Sequence, residues 1–438
     1  SGGLSIFLDF TIVRRGGFSK FFPPVYWLSP TLVASAIMLR IRPYSNNCKP
    51  GCSNAVIRII QVRPLNAVSM EGRFWFSSSY GEAAGRFIIA CDDLRNSGHR
   101  VSSERLEIGK IGPAGEPLCI DVAIVGSLKS DKVILSSSGI HGVEGYPGSA
   151  IQLAIMDDLV KQEPFKDHAV IFIHAINPYG MAWWRRFNEN NVDLNRNFLK
   201  GDQIYSGVPE GYHHIEEFIN PKSPPLKKER WFKLKALKLI LKHGFNNLKQ
   251  WVAEGQYERP QAIQFGGKEL QPGPDLLLNW LDSILQDTTR IWAIDLHTGL
   301  GPSGHDTLLV SAKTDADKIE RLENLFPGHI ESLDANAGVG YEIVGDLHQG
   351  LEDRFDHIQW TSVTQEFGTF KPIRVLKASR AENRWTQWGM YVDEVDARRH
   401  WSREQLLRTF NPKDEFWQAQ ITSRGRIVFK TAKEDLLS

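Results

Sequence analysis

An α/β fold built on a largely parallel or mixed sheet is what this 438-residue sequence predicts, and three observations predict it. Short apolar runs rich in β-branched residues recur along the chain, amphipathic segments at helical spacing lie between them, and polar, glycine-rich clusters follow several of the runs directly. Length sets the scale: a single core stops growing near ~250–300 residues, so the chain holds one large domain or two ordinary ones.

The elements follow in order. "YGEAAGRFIIACDDLRNSG" places Ala83, Ala84, Phe87, Ile88, Cys91 and Leu94 at helical spacing and stops at Gly98, a C-terminal cap. The runs at 118–126, 132–137, 169–176, 290–297, 307–312 and 361–367 are short and apolar, as strands of a buried sheet are. Residues 148–161 and 274–286 read as amphipathic helices between them. The most strongly periodic stretch is 226–254, with Trp231, Leu234, Leu237, Leu241, Phe245, Leu248 and Val252 on one stripe and seven Lys/Arg from Lys227 to Lys242. That spacing predicts a helical insertion, about residues 200–275, packed against the main sheet with a solvated basic face; a basic helix that binds a membrane surface or a partner is the alternative.

Residues 1–70 stand apart. They hold eight Lys/Arg against one Asp, so the charge is +7 there and −6 over the remainder, for a net +1. A mildly acidic body excludes a nucleic-acid partner. Nineteen uncharged residues between Lys20 and Arg40 are long enough to span a membrane, but their three prolines argue against it, and no stable membrane insertion is expected. The segment reads as a leader, disordered or non-native, with a signal or anchor as the alternative. Residues 71–430 read as the main folded domain and 431–438 as a tail. Four cysteines (Cys48, Cys52, Cys91, Cys119) are too few for a disulfide scaffold, which fits a reducing, cytoplasmic location.

No HExxH, GxSxG, Walker loop or strand-following GxGxxG is present. In an open α/β sheet, ligands gather beyond the carboxyl ends of the strands, so the residues just after each apolar run carry the chemistry. After "KVILSSS" comes His141-Gly-Val-Glu144, and at the end of "RIWAIDL" comes His297. A helical turn after the first strand would put His141 and Glu144 on one face, and with His297 they form a His2Glu set, three ligands with one open position, as a catalytic zinc requires. Glu366, at the end of "TSVTQ", is placed to act as general base. "WWRR" and "VDLNRNF" offer Arg185, Arg186 and Arg196, whose planar guanidinium groups suit an anionic end of a substrate, with Asn195 beside them.

Taken in order, "SGIHGVEGYPGS", "NPYG", "WWRR…VDLNRNF", "DLHTG" and "EFGT" resemble the zinc carboxypeptidase family of metallopeptidases, in particular its bacterial-type branch, over residues 74–430. The resemblance implies a three-layer α/β/α sandwich with a central mixed, mostly parallel sheet, and one Zn2+ per chain held by His141, Glu144 and His297. It implies Glu366 as general base, Arg185 as the arginine that polarises the scissile carbonyl, Asn195 and Arg196 as the grip on a substrate carboxylate, and Asp193 as the carboxylate orienting His141. The family also carries a tyrosine on a loop before the catalytic glutamate, and Tyr341 is the only tyrosine between 307 and 366. The expected activity is hydrolysis of an amide bond next to a free carboxylate in a peptide. The alternatives are a zinc-dependent deacylase of small N-acyl amino acids, in the manner of the related aspartoacylase-like branch, and a non-catalytic zinc-binding protein.

Overall fold

The computed structural model of the protein describes residues 74–127, 129–201, 203–333 and 343–438. The expected leader, Cys48, Cys52 and Tyr341 lie outside the described residues. The order of elements is α1 (Tyr80–Asn96), β1 (Val101–Ile111), β2 (Pro117–Gly126), β3 (Lys132–Ser138), a 3-10 turn (Gly142–Glu144), α2 (Gly145–Val160), β4 (Ala169–His174) and α3 (Pro178–Trp183). The insertion follows with α4 (Glu216–Ile219), α5 (Phe232–His243) and α6 (Phe245–Ala253). Then come α7 (Pro272–Ile284), β5 (Arg290–Gly299), β6 (Asp306–Val310), α8 (Ala316–Leu325), β7 (Ile330–Ser332), α9 (Leu347–Arg354) and β8 (Gln359–Gly368). The chain closes with α10 (Pro372–Trp388), α11 (Glu394–Arg398), α12 (Trp401–Phe410) and α13 (Glu415–Leu437).

The strands form one mixed eight-stranded sheet in the order β1-β2-β4-β3-β5-β8-β6-β7. Its centre, β4-β3-β5-β8, is parallel, whereas β1-β2, β2-β4 and β8-β6 pair antiparallel. Successive residues of each central strand point to opposite faces. In β5, Trp292, Ile294 and Leu296 meet α1, α2 and α13, while Ile291 and Ala293 meet α7 and α9. Two hydrophobic layers with the sheet between them make the α/β/α sandwich.

Local sequence sets the ends. The Ser79 hydroxyl caps α1 by accepting from the Glu82 N–H at 3.1 Å, and the Glu82 carboxylate returns to the Ser78 N–H at 2.8 Å. Gly98, at φ +95°, turns the chain after α1. The expected tail at 431–438 is instead the last two turns of α13, with Ala432 and Leu436 in the core. Deleting a buried side chain such as Leu436 costs about 2–5 kcal/mol, so this end belongs to the domain.

Two strands escaped the apolar pattern. β1 is largely exposed and reads "VSSERLEIGKI", because it pairs with β2 alone at the sheet's edge; β7 has three residues. The expected single helix over 226–254 is two, broken at Gly244 with φ +78°. The stripe expected to pack inward also behaves differently: Phe232 and Ala236 are buried, while Leu234, Leu237 and Leu241 are exposed. No helix among the described residues is long and apolar enough to cross a membrane.

Candidate metal centre

The chain leaves β3, bends at Gly139 and makes the 3-10 turn that contains Glu144. Gly139 has φ +69°, and a Cβ there would sit 3.0 Å from the Ala175 Cα, so both conformation and space demand glycine. At Gly142 a Cβ would lie 2.0 Å from the Gly180 carbonyl carbon. That closeness lets the turn hydrogen-bond to the next loop, the Gly142 N–H to the Arg186 carbonyl at 3.1 Å and the Val143 N–H to the Arg185 carbonyl at 3.0 Å. Residues three apart nearly eclipse in a 3-10 turn, which brings His141 and Glu144 to one side.

His141, Glu144 and His297 converge, all buried, with one potential ligand atom from each lying within 4.8 Å of the others. His141 Nδ1 is 3.1 Å from Glu144 Oε1, and His297 Nδ1 is 3.2 Å from Glu144 Oε2. The far nitrogens are held by carboxylates: His141 Nε2 lies 3.0 Å from Asp193 Oδ1, and His297 Nε2 lies 2.6 Å from Asp295 Oδ2. A carboxylate on Nε2 keeps the proton there and turns the Nδ1 lone pair inward, the usual second layer of a metal site. His141 Nδ1 is buried without a hydrogen-bond partner. Such an orphaned acceptor costs free energy unless something fills the position. Two imidazole nitrogens and a carboxylate are a donor set that suits a small divalent cation such as zinc, so the residues fit the metal.

The surrounding charge favours a cation as well. Burial pushes the His297 imidazole down, but Asp295 and Glu144 outweigh it and hold the ring well above its ordinary pKa. Burial pushes the Glu144 carboxyl up, yet the charges of His141 and Arg186 leave it below the carboxylate range. Asp193, opposed by burial in the same way, is held low by His141 and Arg186.

Glu366 stands beside this group because β5 and β8 run parallel with His297 and Glu366 in register. It is buried, and its Oε1 accepts from the Leu300 N–H at 2.9 Å. Burial, then the charge of Glu144, raises its carboxyl to about 7. A carboxyl poised near neutrality can both take and return a proton.

The two neighbouring arginines part company. Trp184, at φ +57°, ends α3 in the left-handed conformation. Beyond it, Arg185 is fully buried and committed: Nε pairs with Glu382 at 2.9 Å, Nη1 donates to the Asn188 carbonyl and Nη2 to Asn191 Oδ1. The carbonyl-polarising position expected for Arg185 is therefore not where its guanidinium lies. Arg186 is the arginine on the site, with Nη1 2.5 Å from Glu144 Oε1, Nη2 2.8 Å from His141 Nε2 and its guanidinium over the Phe410 ring at 5.5 Å. When His141 Nε2–H donates to Asp193, Nε2 offers Arg186 no lone pair, and the bond to Glu144 is the one that persists.

Asn195 and Arg196 adjoin Asp193 in a second 3-10 turn, Leu194–Arg196. The Asn195 side-chain oxygen accepts from the Leu347 N–H at 2.9 Å. Arg196 is buried; its Nε and Nη2 donate to the Ala253 carbonyl at the end of α6, and Nη1 donates to the Asn195 carbonyl at 2.6 Å. These bonds tie the insertion to the loop that carries Asp193. Asp295 is the functional residue that sequence reasoning passed over. Its signal was present, since residues two apart on a strand share a face and "DLH" therefore sets Asp295 beside His297.

A sequence profile of the family described as "Protein of unknown function (DUF2817)" matches residues 76–424. No curated protein matches the sequence. Among solved structures, the chain is similar to carboxypeptidase A from Helicoverpa armigera, at 11% identity over 80% of this chain and 73% of that one, with a TM-score of 0.38. It is similar to bovine thrombin-activatable fibrinolysis inhibitor in complex with tick carboxypeptidase inhibitor, at 13% identity over 81% of this chain and 98% of that one, TM-score 0.39. It is also similar to the murein-tripeptide amidase of Escherichia coli O157, at 16% identity over 72% of this chain and 94% of that one, TM-score 0.30.

Proposed function

Because the chain belongs to the DUF2817 family, whose description assigns no activity, the site's own atoms have to carry the function, and we propose a zinc-dependent amide hydrolase of the metallocarboxypeptidase type. The observation that carries this reading is the convergence of His141, Glu144 and His297 with Glu366 in register beside them. Zinc held by the three ligands would supply Lewis-acid polarisation of a carbonyl and make a water molecule acidic near neutral pH.

The chain's residues supply the rest. Glu366 accepts the proton of the attacking water and hands it to the leaving nitrogen, a shuttle suited to a carboxyl near 7. Arg186, adjacent to Glu144 and backed by Phe410, offers N–H donors to the oxygen on which negative charge develops. Asp193 and Asp295 orient the two histidines. The substrate is a peptide with a free carboxylate next to the scissile bond. Arg196, the residue expected to grip that carboxylate, is buried with Nε, Nη1 and Nη2 on the Ala253 and Asn195 carbonyls, so the carboxylate is the feature to test first.

The experiment pairs elemental analysis of protein purified without chelator with a substrate panel: peptides ending in a carboxylate, the same peptides ending in an amide, and small N-acyl amino acids. The reading expects one zinc per chain and hydrolysis of the free-carboxylate peptides, abolished by Glu366→Gln. Turnover confined to N-acyl amino acids would replace the peptidase with a deacylase. Absence of stoichiometric metal, or full activity in Glu366→Gln, would overturn the hydrolase reading itself.

A further inference from the structure

The insertion presents an unusual helix. α5 is stapled to α10 from the inside: Glu229 pairs with both Arg380 and Arg384, Arg380 Nε donates to the Phe218 carbonyl at 2.6 Å, and the Phe218 and Phe232 rings stack at 5.1 Å. With Phe232 and Ala236 buried, the pole opposite them is fixed outward. At 100° per residue that pole carries Leu234, Leu237 and Leu241, which are 56%, 50% and 79% exposed. Trp231 and Phe245 stand exposed at its two ends.

A core-facing ridge would be ordinary; a solvent-facing one is not, because soluble surfaces seldom leave contiguous leucines uncovered. The charge around it is equally one-sided. Lys235, Lys238 and Lys242 run along one flank and Lys233 along the other, and Lys227, Lys228 and Arg230 lead into the helix, all seven exposed. None of the seven enters an ion pair among the described residues, and the one acid of this stretch, Glu229, is turned inward to Arg380 and Arg384. A second copy of the chain would set these seven cations against seven more. The complement is an apolar layer with anions at its boundary: leucines and an aromatic residue enter the acyl edge while lysine stems extend their ammonium groups to headgroup phosphates.

We propose that the outer face of α5 docks the protein on an anionic lipid surface, with Trp231, Leu234, Leu237 and Leu241 in the interfacial layer and the flanking lysines on the headgroups. It is a peripheral contact; the helix lies in the interface plane and spans nothing. α5 connects through Gly244 to α6, whose Ala253 carbonyl holds Arg196 beside the Asp193 loop, so the docked element is joined to the chain that orients His141.

The test is flotation of the full chain with vesicles of phosphatidylcholine alone and with added phosphatidylglycerol. Binding is expected only with the anionic lipid. The variant Leu234→Ser/Leu237→Ser/Leu241→Ser is expected to lose at least ~10-fold in bound fraction, with an unchanged melting temperature because the three side chains are exposed. Lys235→Glu/Lys238→Glu/Lys242→Glu is expected to match that loss at low salt and to differ little from the parent at high salt, where the parent's own binding falls. Equal binding by the leucine variant and the parent, equal binding to neutral and anionic vesicles, or no binding by the parent would each overturn the proposal. So would lipid-free self-association that the leucine variant abolishes. None of these readouts depends on catalysis.

Discussion

Asp295→Asn isolates what the carboxylate behind His297 contributes. The substitution keeps the shape of the side chain, and an amide oxygen can still accept from His297 Nε2 while the amide nitrogen faces Ser137 Oγ, which lies 2.7 Å from the carboxylate. What disappears is the negative charge at 2.6 Å from the imidazole, in a site where Asp295 and His297 are both buried. Losing such a partner typically lowers metal affinity about 10- to 100-fold, or about 1.4–2.7 kcal/mol. One effect runs the other way: Asp295 also stabilises the proton that competes with a metal for His297, so the variant sheds a competitor as well. The loss is therefore read by titrating zinc against a chromophoric chelator at a series of rising pH values, along which competition from that proton falls in both proteins, and is taken at the most alkaline pH of the series. Affinity within about twofold of the parent at that pH, in a variant with unchanged circular dichroism, would refute the orienting role of Asp295.

Further outcomes follow from the structure. Glu366→Gln should cut turnover by about 10²–10⁴-fold while leaving one zinc bound per chain, checked by kinetics beside elemental analysis. Arg186→Met should lower kcat by about 10²–10³-fold, whereas Arg185→Met should leave Glu382 buried without its nearer arginine partner and destabilise the fold by about 3–5 kcal/mol in urea unfolding. A reversed pattern between these adjacent arginines would mean that their side chains are exchanged. His400 is pushed down to about 4 by burial and then by Lys227 and Arg403. Because its folded pKa lies below the unfolded one, the neutral ring's contribution is fully present above about 6.5 and is lost as pH falls from there through about 4. Urea midpoints should fall across that window in the parent and less steeply in His400→Asn, which retains a cap for α12.

The central strands were legible because a sheet covered on both faces demands continuous apolar runs, and the candidate ligands were legible because they sit where those runs end. β1 was not, since an edge strand with a wet face has no such demand, and "VSSERLEIGKI" carries little apolar signal. The insertion shows a different limit. Periodicity identifies a stripe but not the side on which its partner lies; Glu229 with Arg380 and Arg384 decides that, from residues about 150 positions away. Adjacent arginines pose the same problem at shorter range. Nothing in "WWRR" distinguishes Arg185 from Arg186, and the choice is made by the left-handed Trp184 and by Glu382, which lies on a distant helix.

Register is the quantity that joins these cases. His141 and His297 are far apart in sequence, yet Ser137 pairs with Asp295 across β3 and β5, and the same pairing becomes a hydrogen bond between their side chains at 2.7 Å. One strand further on, His297 pairs with Glu366. A slip of one residue between β5 and either neighbour would turn His297 and Asp295 to the opposite face, into the layer that holds Trp292, Ile294 and Leu296, and would send those three to the face packed against α7 and α9. Burying His297 and Asp295 in that apolar layer without their partners is strongly unfavourable, and Trp292 would have to fit where Ile291 and Ala293 pack against α7 and α9. The apolar alternation of β5 thus fixes more than the core: it fixes the face from which His297 meets Glu144, and the convergence of the three candidate ligands is inherited from the packing of residues that never touch them.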